Sequence, residues 1–474
     1  MLRRAGRLPV LLILLLPLLA LLPPLQPVPL EAETVLDTYI KQGLENNLGL
    51  KQWYFELERS IEGLKEARRM FFPSVSFSAR YTWAQGGREI TLPVGDMLNE
   101  IYAALNRVTP GSPYPTDFTD ESLPVMPTRE QETKVTFIQP LFVPSYFFNL
   151  RLKSKLRDTR GVDLALFKRH LVAEMKKAYF NHLKAVNLVY IYKRMLDVLE
   201  ENLRVSESLY KRGKATEDAV FRAKAEIAGM EQKSAEAEKS RRLTASYFNH
   251  LIHRPLESPI ESVELGQLEV PEQRGLEESI AGALIKREEI RSFLQGIEAQ
   301  DDALWLARSA NLPVVLAIFD YGFQGEDYRF SLDNDFWSAS IVLEWKLFSS
   351  LQNQAKIREA SLRRKQLLVQ LEELKENIVL EVEGAHYDLI VARKAIQSSA
   401  EVLSSSQKYH EILARKYEQG VAAQMEYMDA QTKLTNAEIG RLIAQYDYFI
   451  KLAHFLLVTA QEGDERGEVS VRPN

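Results

Sequence analysis

The sequence predicts a mainly α-helical protein that also carries four membrane β-strands, all within an internally duplicated chain. Three observations predict this fold class. Long segments recur at a fixed spacing, each copy holds two strands of alternating polarity, and the remaining residues contain few helix breakers. The duplication covers most of the 474 residues, so one architecture must account for nearly the whole chain.

The two copies align at constant shifts. Residues 178–213 fall on residues 385–420 without a gap when they are moved forward by 207 positions. The shift is 206 at Leu141, which meets Leu347, and it is 240 at Pro73, because the first copy contains a longer loop. A repeat on this scale indicates one structural plan used twice.

The repeat and its flanking segments predict five regions. Arginines followed by an apolar run are typical of a signal peptide for export, although an uncleaved anchor has the same features. Each repeat would hold a helix, two strands and a long helical hairpin. The regions are the signal peptide (1–32), the first repeat (33–253), a linker (254–273), the second repeat (274–460) and a polar C-terminal tail (461–474).

Composition narrows the class of protein further. A net charge of −5 lacks the basic excess that nucleic acids attract, so DNA and RNA are poor candidate partners. The chain has no cysteine, which excludes disulfides and a lipid-carrying N-terminal cysteine. Beyond residue 31 there is no apolar run of about eighteen residues, so any further crossing of a membrane must use strands.

Strict alternation predicts the strands. In residues 74–83 the odd positions are apolar and the even positions are polar, and the pattern recurs 240 positions later. A second strand follows in each copy. The apolar side chains are Val75, Phe77, Ala79, Tyr81 and Trp83; Val135, Phe137 and Leu141; Val315, Ala317, Phe319, Tyr321 and Phe323; and Ile341, Leu343 and Leu347. Each strand thus has one apolar face and one polar face.

Two kinds of sheet have such strands: a transmembrane sheet and a soluble β-sandwich. Aromatic residues at or near the strand ends, such as Trp83, Phe336 and Trp337, favour the transmembrane sheet, because aromatic girdles mark membrane interfaces. Ten residues tilted by about 40° also cover roughly 25 Å, which matches the apolar band of an outer membrane.

Four strands are too few to close a barrel, since the smallest stable barrels have about eight. Several copies must therefore share one barrel. Two copies would form a plugged barrel, whereas three would form a twelve-stranded barrel with room for water. The sequence therefore favours a homotrimer with outer membrane lipid around its strands.

The remaining residues are mostly helical, because glycine and proline are rare in them. Helices are predicted over about residues 34–70, 146–212, 216–252, 276–310, 351–419 and 424–460. The longest would extend about 90 Å. Gly213 and Gly420 lie between the long helices, and each is predicted to adopt a left-handed conformation that ends a helix. The loop at 86–130 is predicted to hold a short helix near 97–106.

Together these features resemble the TolC-type outer membrane efflux proteins over essentially the whole mature chain. The resemblance is carried by the paired copies, by helix–proline–strand segments at 67–75 and 307–315, and by two tip sequences. These are Tyr210-Lys-Arg-Gly213 and Tyr417-Glu-Gln-Gly420, of which the second continues as Val-Ala-Ala-Gln-Met-Glu-Tyr-Met-Asp-Ala430 and is the more specific.

Two short segments depart from the family pattern. Asn46-Asn-Leu-Gly49 stands where the family often has Asn-Pro, and Lys286-Arg-Glu-Glu289 stands where Arg-Pro followed by an acidic residue is usual. Both lie away from the tip, so they bear on where helices start.

The resemblance implies a trimeric twelve-stranded barrel in the outer membrane, continued by a periplasmic tunnel of twelve helices. It implies the exit duct of a tripartite efflux pump or a type I secretion system, without catalytic activity. A periplasmic adaptor protein and an inner membrane transporter would dock at the far end of the tunnel and open it. The implied location is the outer membrane, with an extension into the periplasm.

The same resemblance implies a set of site residues. Acidic side chains that line the channel constriction fall on Glu426 and Asp429, and Asp218 is the nearest acidic residue in the first copy. The position of the family's tip arginine is Ala422 in this chain. The implied adaptor contacts are Arg212, Gly213, Lys214, Gln419, Gly420 and Val421.

The acidic residues have two interpretations. Glu426 and Asp429 are three positions apart and share a helix face, so a trimer would place six carboxylates around one axis and attract cations. Alternatively, acidic residues in a first turn stabilise the helix dipole by about 0.3–1 kcal/mol each. Glu217 and Asp218 occupy the equivalent turn in the first copy, so both interpretations stay open. Ordinary turn chemistry is the alternative for the adaptor contacts.

Sequence signals for other chemistry are weak. The seven histidines are scattered, and only His250 and His253 lie close together, without a third ligand nearby. The sequence contains no Gly-rich phosphate loop, nucleophile elbow or zinc-protease signature. We therefore predict no metal site, no cofactor and no enzyme activity.

A second class of function fits the long helices. A periplasmic coiled-coil scaffold or adaptor, held by an uncleaved N-terminal anchor, would use the alternating segments in a small soluble sheet. An adaptor, however, would need a β-rich domain inside its helical hairpin, and residues 212–216 leave no room for one.

Overall fold

The computed structural model describes residues 35–461, except residues 110, 112, 113, 126 and 263–274. The predicted signal peptide, most of the predicted linker and nearly all of the C-terminal tail lie outside the described residues.

Within the described residues the chain forms nine α-helices and six β-strands. The helices are α1 (Val35–Asn46), α2 (Leu48–Arg69), α3 (Val94–Val108), α4 (Pro144–Lys211), α5 (Glu217–Leu251), α6 (Leu276–Lys286), α7 (Glu288–Ser309), α8 (Gln352–Glu418) and α9 (Gln424–Thr459). The strands are β1 (Ser74–Trp83), β2 (Glu89–Leu92), β3 (Glu121–Pro124), β4 (Arg129–Phe142), β5 (Val314–Gly325) and β6 (Asp335–Glu344). The predicted mixture of long helices and few strands is confirmed.

The chain divides into two compact units. Of the described residues, the first contains those of 35–47, 171–262 and 389–454, and the second contains those of 48–170, 275–388 and 455–461. The first unit is built from helices: α1, α5, most of α9 and the parts of α4 and α8 that lead to the tip turns. The second unit contains all the strands of the described residues, together with α2, α3, α6, α7, the first parts of α4 and α8 and the end of α9.

Aromatic residues fill the core of the first unit. The Tyr39 ring lies 5.3 Å from that of Phe248 and 6.2 Å from that of Tyr179, and Tyr179 and Phe248 are fully buried. The Tyr179 hydroxyl donates to the Glu261 carbonyl, 2.8 Å away. Such clusters bury much apolar area while satisfying their polar atoms, so they tie α1 to the helical hairpin.

The second unit is organised around a four-stranded antiparallel sheet with the order β1-β4-β5-β6. All four strands were predicted from alternation, and their existence is confirmed. One boundary was wrong: β6 ends at Glu344, so Leu347 follows the strand rather than lying on it. The reason is that β5 begins at Val314, which pairs with Glu344, and offers no partner to later residues.

The strand register follows the sequence repeat residue by residue. In the first copy Val75 pairs with Phe137, and in the second copy their counterparts Val315 and Leu343 pair in the same way. The correspondence holds for every pair from Ser74–Ile138 to Trp83–Arg129, shifted by 240 and 206 positions. The duplication is therefore a duplication of structure.

Two helices predicted as continuous are each broken in two. The helix predicted at 34–70 is interrupted at Asn47, whose side-chain amide donates to the Leu251 carbonyl at 2.8 Å. The helix predicted at 276–310 is interrupted at Arg287, which is extended with φ −64° and ψ 127°. Both breaks fall in the segments that depart from the family pattern, and in both a polar side chain takes partners outside its own helix.

The long loop at 86–130 is more ordered than its composition suggests. The short helix predicted in it is confirmed as α3, and an additional two-stranded sheet, β2–β3, was not predicted. The Asn99 side chain donates to the Phe118 carbonyl and accepts from the Phe118 amide, at 2.7 and 2.9 Å. These side-chain bonds hold α3 against the loop that follows it.

Candidate functional site

The two tip turns of the first unit have the same geometry. Gly213 and Gly420 have positive φ values of 67° and 72°, as predicted for residues that end a helix in the left-handed region. The amide after each glycine donates back into its helix, from Lys214 to the Leu209 carbonyl and from Val421 to the Lys416 carbonyl, both at 2.8 Å. These closures satisfy the last carbonyls of α4 and α8.

The six candidate adaptor-contact residues all lie on these turns and all are exposed. Apolar side chains accompany them: Val421 is 72% exposed, and Met425 and Phe221 are also exposed. Arg212 and Lys214 add positive charge in the first turn. An exposed surface with apolar and basic groups suits protein contacts, and the turn geometry alone also explains the glycines.

Glu426 and Asp429 lie at the start of α9, and each carboxylate has a partner within the chain. Glu426 accepts a hydrogen bond from the Ala423 amide at 3.1 Å, as a capping glutamate does. Asp429 forms an ion pair of 2.7 Å with Lys433, one turn later, and both side chains are more than half exposed. This hydrogen bond with Asp429 raises the pKa of Lys433 above its ordinary value.

Asp218 has a similar arrangement at the start of α5. Its carboxylate lies 3.6 Å from the Arg222 guanidinium, and Arg222 also contacts the Met425 sulfur of α9 at 2.7 Å. The first turns of α5 and α9 are thus adjacent, so Asp218 and Glu426 belong to one region of the tip. Each candidate acidic residue has a local partner, which is compatible with both capping and channel lining.

A tie between the two hairpins was not predicted from the sequence. The Gln424 amide donates to the Asn202 side-chain oxygen and to the Ser206 hydroxyl, the latter at 2.8 Å. Ser206 is 1% exposed, so the contact is shielded from water on one side. Gln424 lies within the tip sequence, but its partners lie more than 200 positions earlier, so only the folded chain reveals them.

Apolar packing lies next to this tie. Met195 and Leu199 of α4 contact Met428 of α9, and all three are buried. The Tyr417 and Tyr427 rings stack at 5.2 Å across the second turn. The beginning of α9 is therefore held to α4 by packing and by neutral hydrogen bonds, without a buried ion pair among these residues.

In the second unit, the sheet has an apolar face that is exposed. Cross-strand neighbours such as Val75 and Phe137, or Phe319 and Ala339, place the odd positions of all four strands on this face. Phe77 is 70% exposed and Ile341 is 77% exposed. A continuous exposed apolar surface of this kind indicates a lipid or protein contact.

The opposite face of the sheet is polar and forms a connected network. Glu132 lies between two cations, 3.1 Å from Arg80 and 2.9 Å from Lys134. Asp320 accepts hydrogen bonds from the Thr136 and Ser338 hydroxyls on the neighbouring strands. These charged side chains stay partly exposed, so this face of the sheet is suited to contact with water.

Aromatic rings border the apolar face at one end of the strands. The Tyr81 ring lies 4.4 Å from that of Trp83 and stacks on that of Tyr328 at 5.4 Å, and Phe330 packs on Phe323. The loop after β5 supplies Tyr328 and Phe330, which sequence reasoning did not include. The predicted aromatic border at this end of the strands is thus widened by loop residues.

A buried ionic cluster lies where α6 meets α7. Arg287 bridges Glu289 and Glu381, with both contacts at 2.6 Å, while Arg169 of α4 contacts Glu288 at 2.6 Å and Glu289 at 2.9 Å. Both guanidinium groups are at least nine-tenths buried. The sequence signal was the acidic pair after Lys286, but its partners could not be inferred from spacing.

The described residues contain no cluster of three or more His, Asp or Glu side chains that could hold a metal ion. Among the helices of that part of the chain, none is both long enough and apolar enough to cross a bilayer.

Residues 280–456 match the family described as outer membrane efflux protein. They form an outer membrane efflux protein domain. This efflux domain covers most of the second repeat, and it confirms the resemblance to the TolC-type proteins that the sequence predicts. Because that family consists of outer membrane channels that extend into the periplasm, the predicted localisation is confirmed as well.

The fold around the efflux domain is also that of outer membrane channels. The CmeC channel of Campylobacter jejuni is 15% identical, covers 91% of this chain and 87% of its own, and has a TM-score of 0.74. The MtrE channel of Neisseria gonorrhoeae, in its open state, is 18% identical over 90% and 88%, with a TM-score of 0.71.

A third structure with this fold is the outer membrane protein VceC of Vibrio cholerae. It is 15% identical, covers 90% of this chain and 95% of its own, and has a TM-score of 0.69. At these identities the similarity shows the fold of both repeats, and it extends well beyond the efflux domain. None of the curated proteins matches the chain in sequence.

Proposed function

We propose that this protein is the outer membrane exit channel of a tripartite efflux pump or a type I secretion system, acting as a homotrimer. The observation that carries the proposal is the four-stranded sheet of the second unit. It has one exposed apolar face and one charged face, and within the described part of the chain its edge strands β1 and β6 have no further strand partner. A sheet of this kind suits a wall between lipid and water.

Closure of the wall requires other copies. Unpaired backbone groups at a sheet edge cannot be left in lipid, so β1 and β6 need partner strands. Three copies give twelve strands, which is enough for a water-filled lumen lined by residues such as Arg80, Glu132 and Asp320. The apolar faces would then contact outer membrane lipid.

The tip turns of the first unit supply the regulated end of this channel. Six exposed residues of these turns would contact a periplasmic adaptor protein: Arg212, Gly213, Lys214, Gln419, Gly420 and Val421. The adaptor in turn connects to an inner membrane transporter. Glu426, Asp429 and Asp218 would line the constriction. The Gln424 contacts with Asn202 and Ser206 hold the second hairpin against the first.

Fractionation and particle size test the assembly. We expect the protein in the outer membrane fraction, with heat-dependent migration in gels and a trimeric mass in mild detergent, because each copy leaves two strand edges open. Recovery as a monomer, or in the inner membrane or soluble fraction, would contradict the channel. The latter result would favour the alternative, an anchored periplasmic scaffold or adaptor.

Charge-removing substitutions test the constriction. We expect Glu426→Gln with Asp429→Asn to lower the cation-to-anion permeability ratio severalfold in single-channel recordings, because carboxylates near a narrow axis attract cations. Glutamine can still cap the helix, so these amides remove charge and largely keep the capping.

The matched control is Glu411→Gln, which removes an exposed carboxylate from the ion pair with Arg415 on α8. Its permeability ratio should stay near the wild-type value. If the double amide variant conducts with unchanged selectivity, the acidic residues serve the helix ends only, and the constriction lies elsewhere.

A further inference from the structure

We infer that copies of this chain join in a defined register, in which Glu344 at the end of β6 lies opposite Ser78 on β1 of the next copy. The inference rests on the proposed trimer and specifies the joint that closes its barrel.

The repeat preserves strand register within the chain. The pairing of β1 with β4 is reproduced by β5 with β6 when the first strands are shifted by 240 positions and the second strands by 206. The agreement covers all ten pairs of each hairpin. A position in one repeat therefore predicts the partner of its counterpart in the other.

Within one chain the two repeats are joined by the pairing of β4 with β5, where Val135 lies opposite Tyr321 and Ile138 lies opposite Ile318. The same joint between chains is β6 with β1 of the next copy, because β6 corresponds to β4 and β1 corresponds to β5. Applying the two shifts gives Ile341 opposite Tyr81, Val342 opposite Arg80, Leu343 opposite Ala79, Glu344 opposite Ser78, Trp345 opposite Phe77 and Lys346 opposite Ser76.

The exposed side chains of the two edges support this register. It places apolar residues beside apolar residues, with Trp345 next to Phe77, which are 55% and 70% exposed in the single chain. It also keeps Glu344 on the charged face, diagonal to Arg80 of the next copy, within reach of an ion pair. A slip of one residue would place the charged Glu344 opposite an apolar residue, Phe77 or Ala79.

The end of β6 supports it independently. Its counterpart β4 runs to Phe142, but β6 stops at Glu344, and the exposed residues Trp345, Leu347 and Phe348 follow without a strand partner. They continue the strand's sequence pattern because they correspond to the last residues of β4. In the inferred register, β1 of the next copy supplies Phe77 as partner for Trp345 and Val75 as partner for Phe348, while Leu347 falls in a bulge as its counterpart Leu141 does.

Disulfide cross-linking tests the register directly, because the chain contains no cysteine. Glu344→Cys combined with Ser78→Cys should form a disulfide, and so should Lys346→Cys combined with Ser76→Cys. The crossed pairs, Glu344→Cys with Ser76→Cys and Lys346→Cys with Ser78→Cys, are matched controls that should not. Opposite residues have Cα atoms about 4.5–5.5 Å apart, whereas residues offset by two exceed the limit of about 7 Å.

Every such link must join two copies, since β1 and β6 of one chain are separated by two strands, or about 14 Å. The expected readout is a covalent trimer on a non-reducing gel for the two registered pairs alone. A trimeric particle in which the crossed pairs link, or no pair links, would overturn the register and leave the proposed trimer intact. A monomeric particle without links would instead contradict the proposed function.

Discussion

Replacing Arg287 with methionine is expected to destabilise the protein by about 3 kcal/mol, because it takes one hydrogen-bonded cation from the buried Glu289 carboxylate and leaves it with Arg169 and His170. The Arg287 guanidinium is 8% exposed, and it bridges Glu289, which is 15% exposed, to Glu381. Methionine fills similar volume but offers no donor. Guanidinium unfolding of the protein in detergent, followed by circular dichroism, would measure the loss.

The effect should depend on pH in a defined direction. Burial would raise the pKa of the Glu289 carboxyl, but hydrogen bonds from His170 and Arg287 outweigh burial and hold this pKa well below its ordinary value of 4.5. The stability gained from Glu289 is therefore present above about pH 4.5 and is lost as the pH falls below that value. The difference in unfolding free energy between wild type and Arg287→Met should narrow in the same range, since a protonated Glu289 no longer needs a cation.

Two further variants make the result specific. Arg291→Met removes an exposed arginine from the same helix, α7, and should change stability by less than about 0.5 kcal/mol. Arg287→Lys keeps the charge but lacks the planar guanidinium whose separate nitrogens contact Glu289 and Glu381, so its stability should fall between those of wild type and the methionine variant. An Arg287→Met variant as stable as Arg291→Met would show that the cluster contributes nothing to folding.

Replacing Gly322 with alanine is expected to disrupt the joint between the two repeats. Gly322 lies on β5, and a Cβ atom there would come within 2.4 Å of the Thr133 carbonyl oxygen and 2.8 Å of the Lys134 Cα. Both atoms belong to the backbone of β4, so relief requires moving a strand and not a side chain. Overpacking of this kind costs about 1–3 kcal/mol, and we expect severalfold less assembled protein in the outer membrane.

Gly325→Ala is the matched control on the same strand. A Cβ atom there would have its nearest neighbours at 3.7 Å, which is ordinary contact. Its yield of heat-modifiable, outer membrane protein should equal that of the wild type. Equal yields for Gly322→Ala and Gly325→Ala would mean that β4 and β5 can separate without loss of assembly.

The strands and turns are the parts that local sequence describes well. Alternation predicted the two faces of β1, because successive side chains of a strand point to opposite sides. The strand also begins at Ser74 and ends at Trp83, as predicted. Gly213 and Gly420 adopt the left-handed conformation that their position between long helices predicted. In each case the deciding interactions lie within a few residues.

The helix breaks show where local reasoning fails. Nothing in the periodicity of residues 34–70 separates α1 from α2, because Asn47 gains its hydrogen-bond partner from Leu251. Arg287 similarly leaves the helix for a cluster with Glu289 and Glu381. The competing partner is remote in the sequence, so only packing can show that it outweighs helix propensity.

At the tip, the sequence and the structure also supply different information. The sequence located Glu426 and Asp429 on one helix face, and it predicted both capping and lining as their roles. The structure adds the Ala423 amide and Lys433 as their local partners, and it adds the tie from Gln424 to Asn202. The charge-removing variants of Glu426 and Asp429 therefore distinguish capping from channel lining.

By itself the sequence determined the duplication, the four strands with their apolar and polar faces, the tip turns and the resemblance to outer membrane efflux proteins. These features depend on periodicity and on neighbouring residues, which a linear chain displays. Only the tertiary structure decided where helices break, which charges are buried together and which hairpins are tied. Those features depend on side chains that lie far apart in sequence and compete with the local backbone for the same hydrogen bonds.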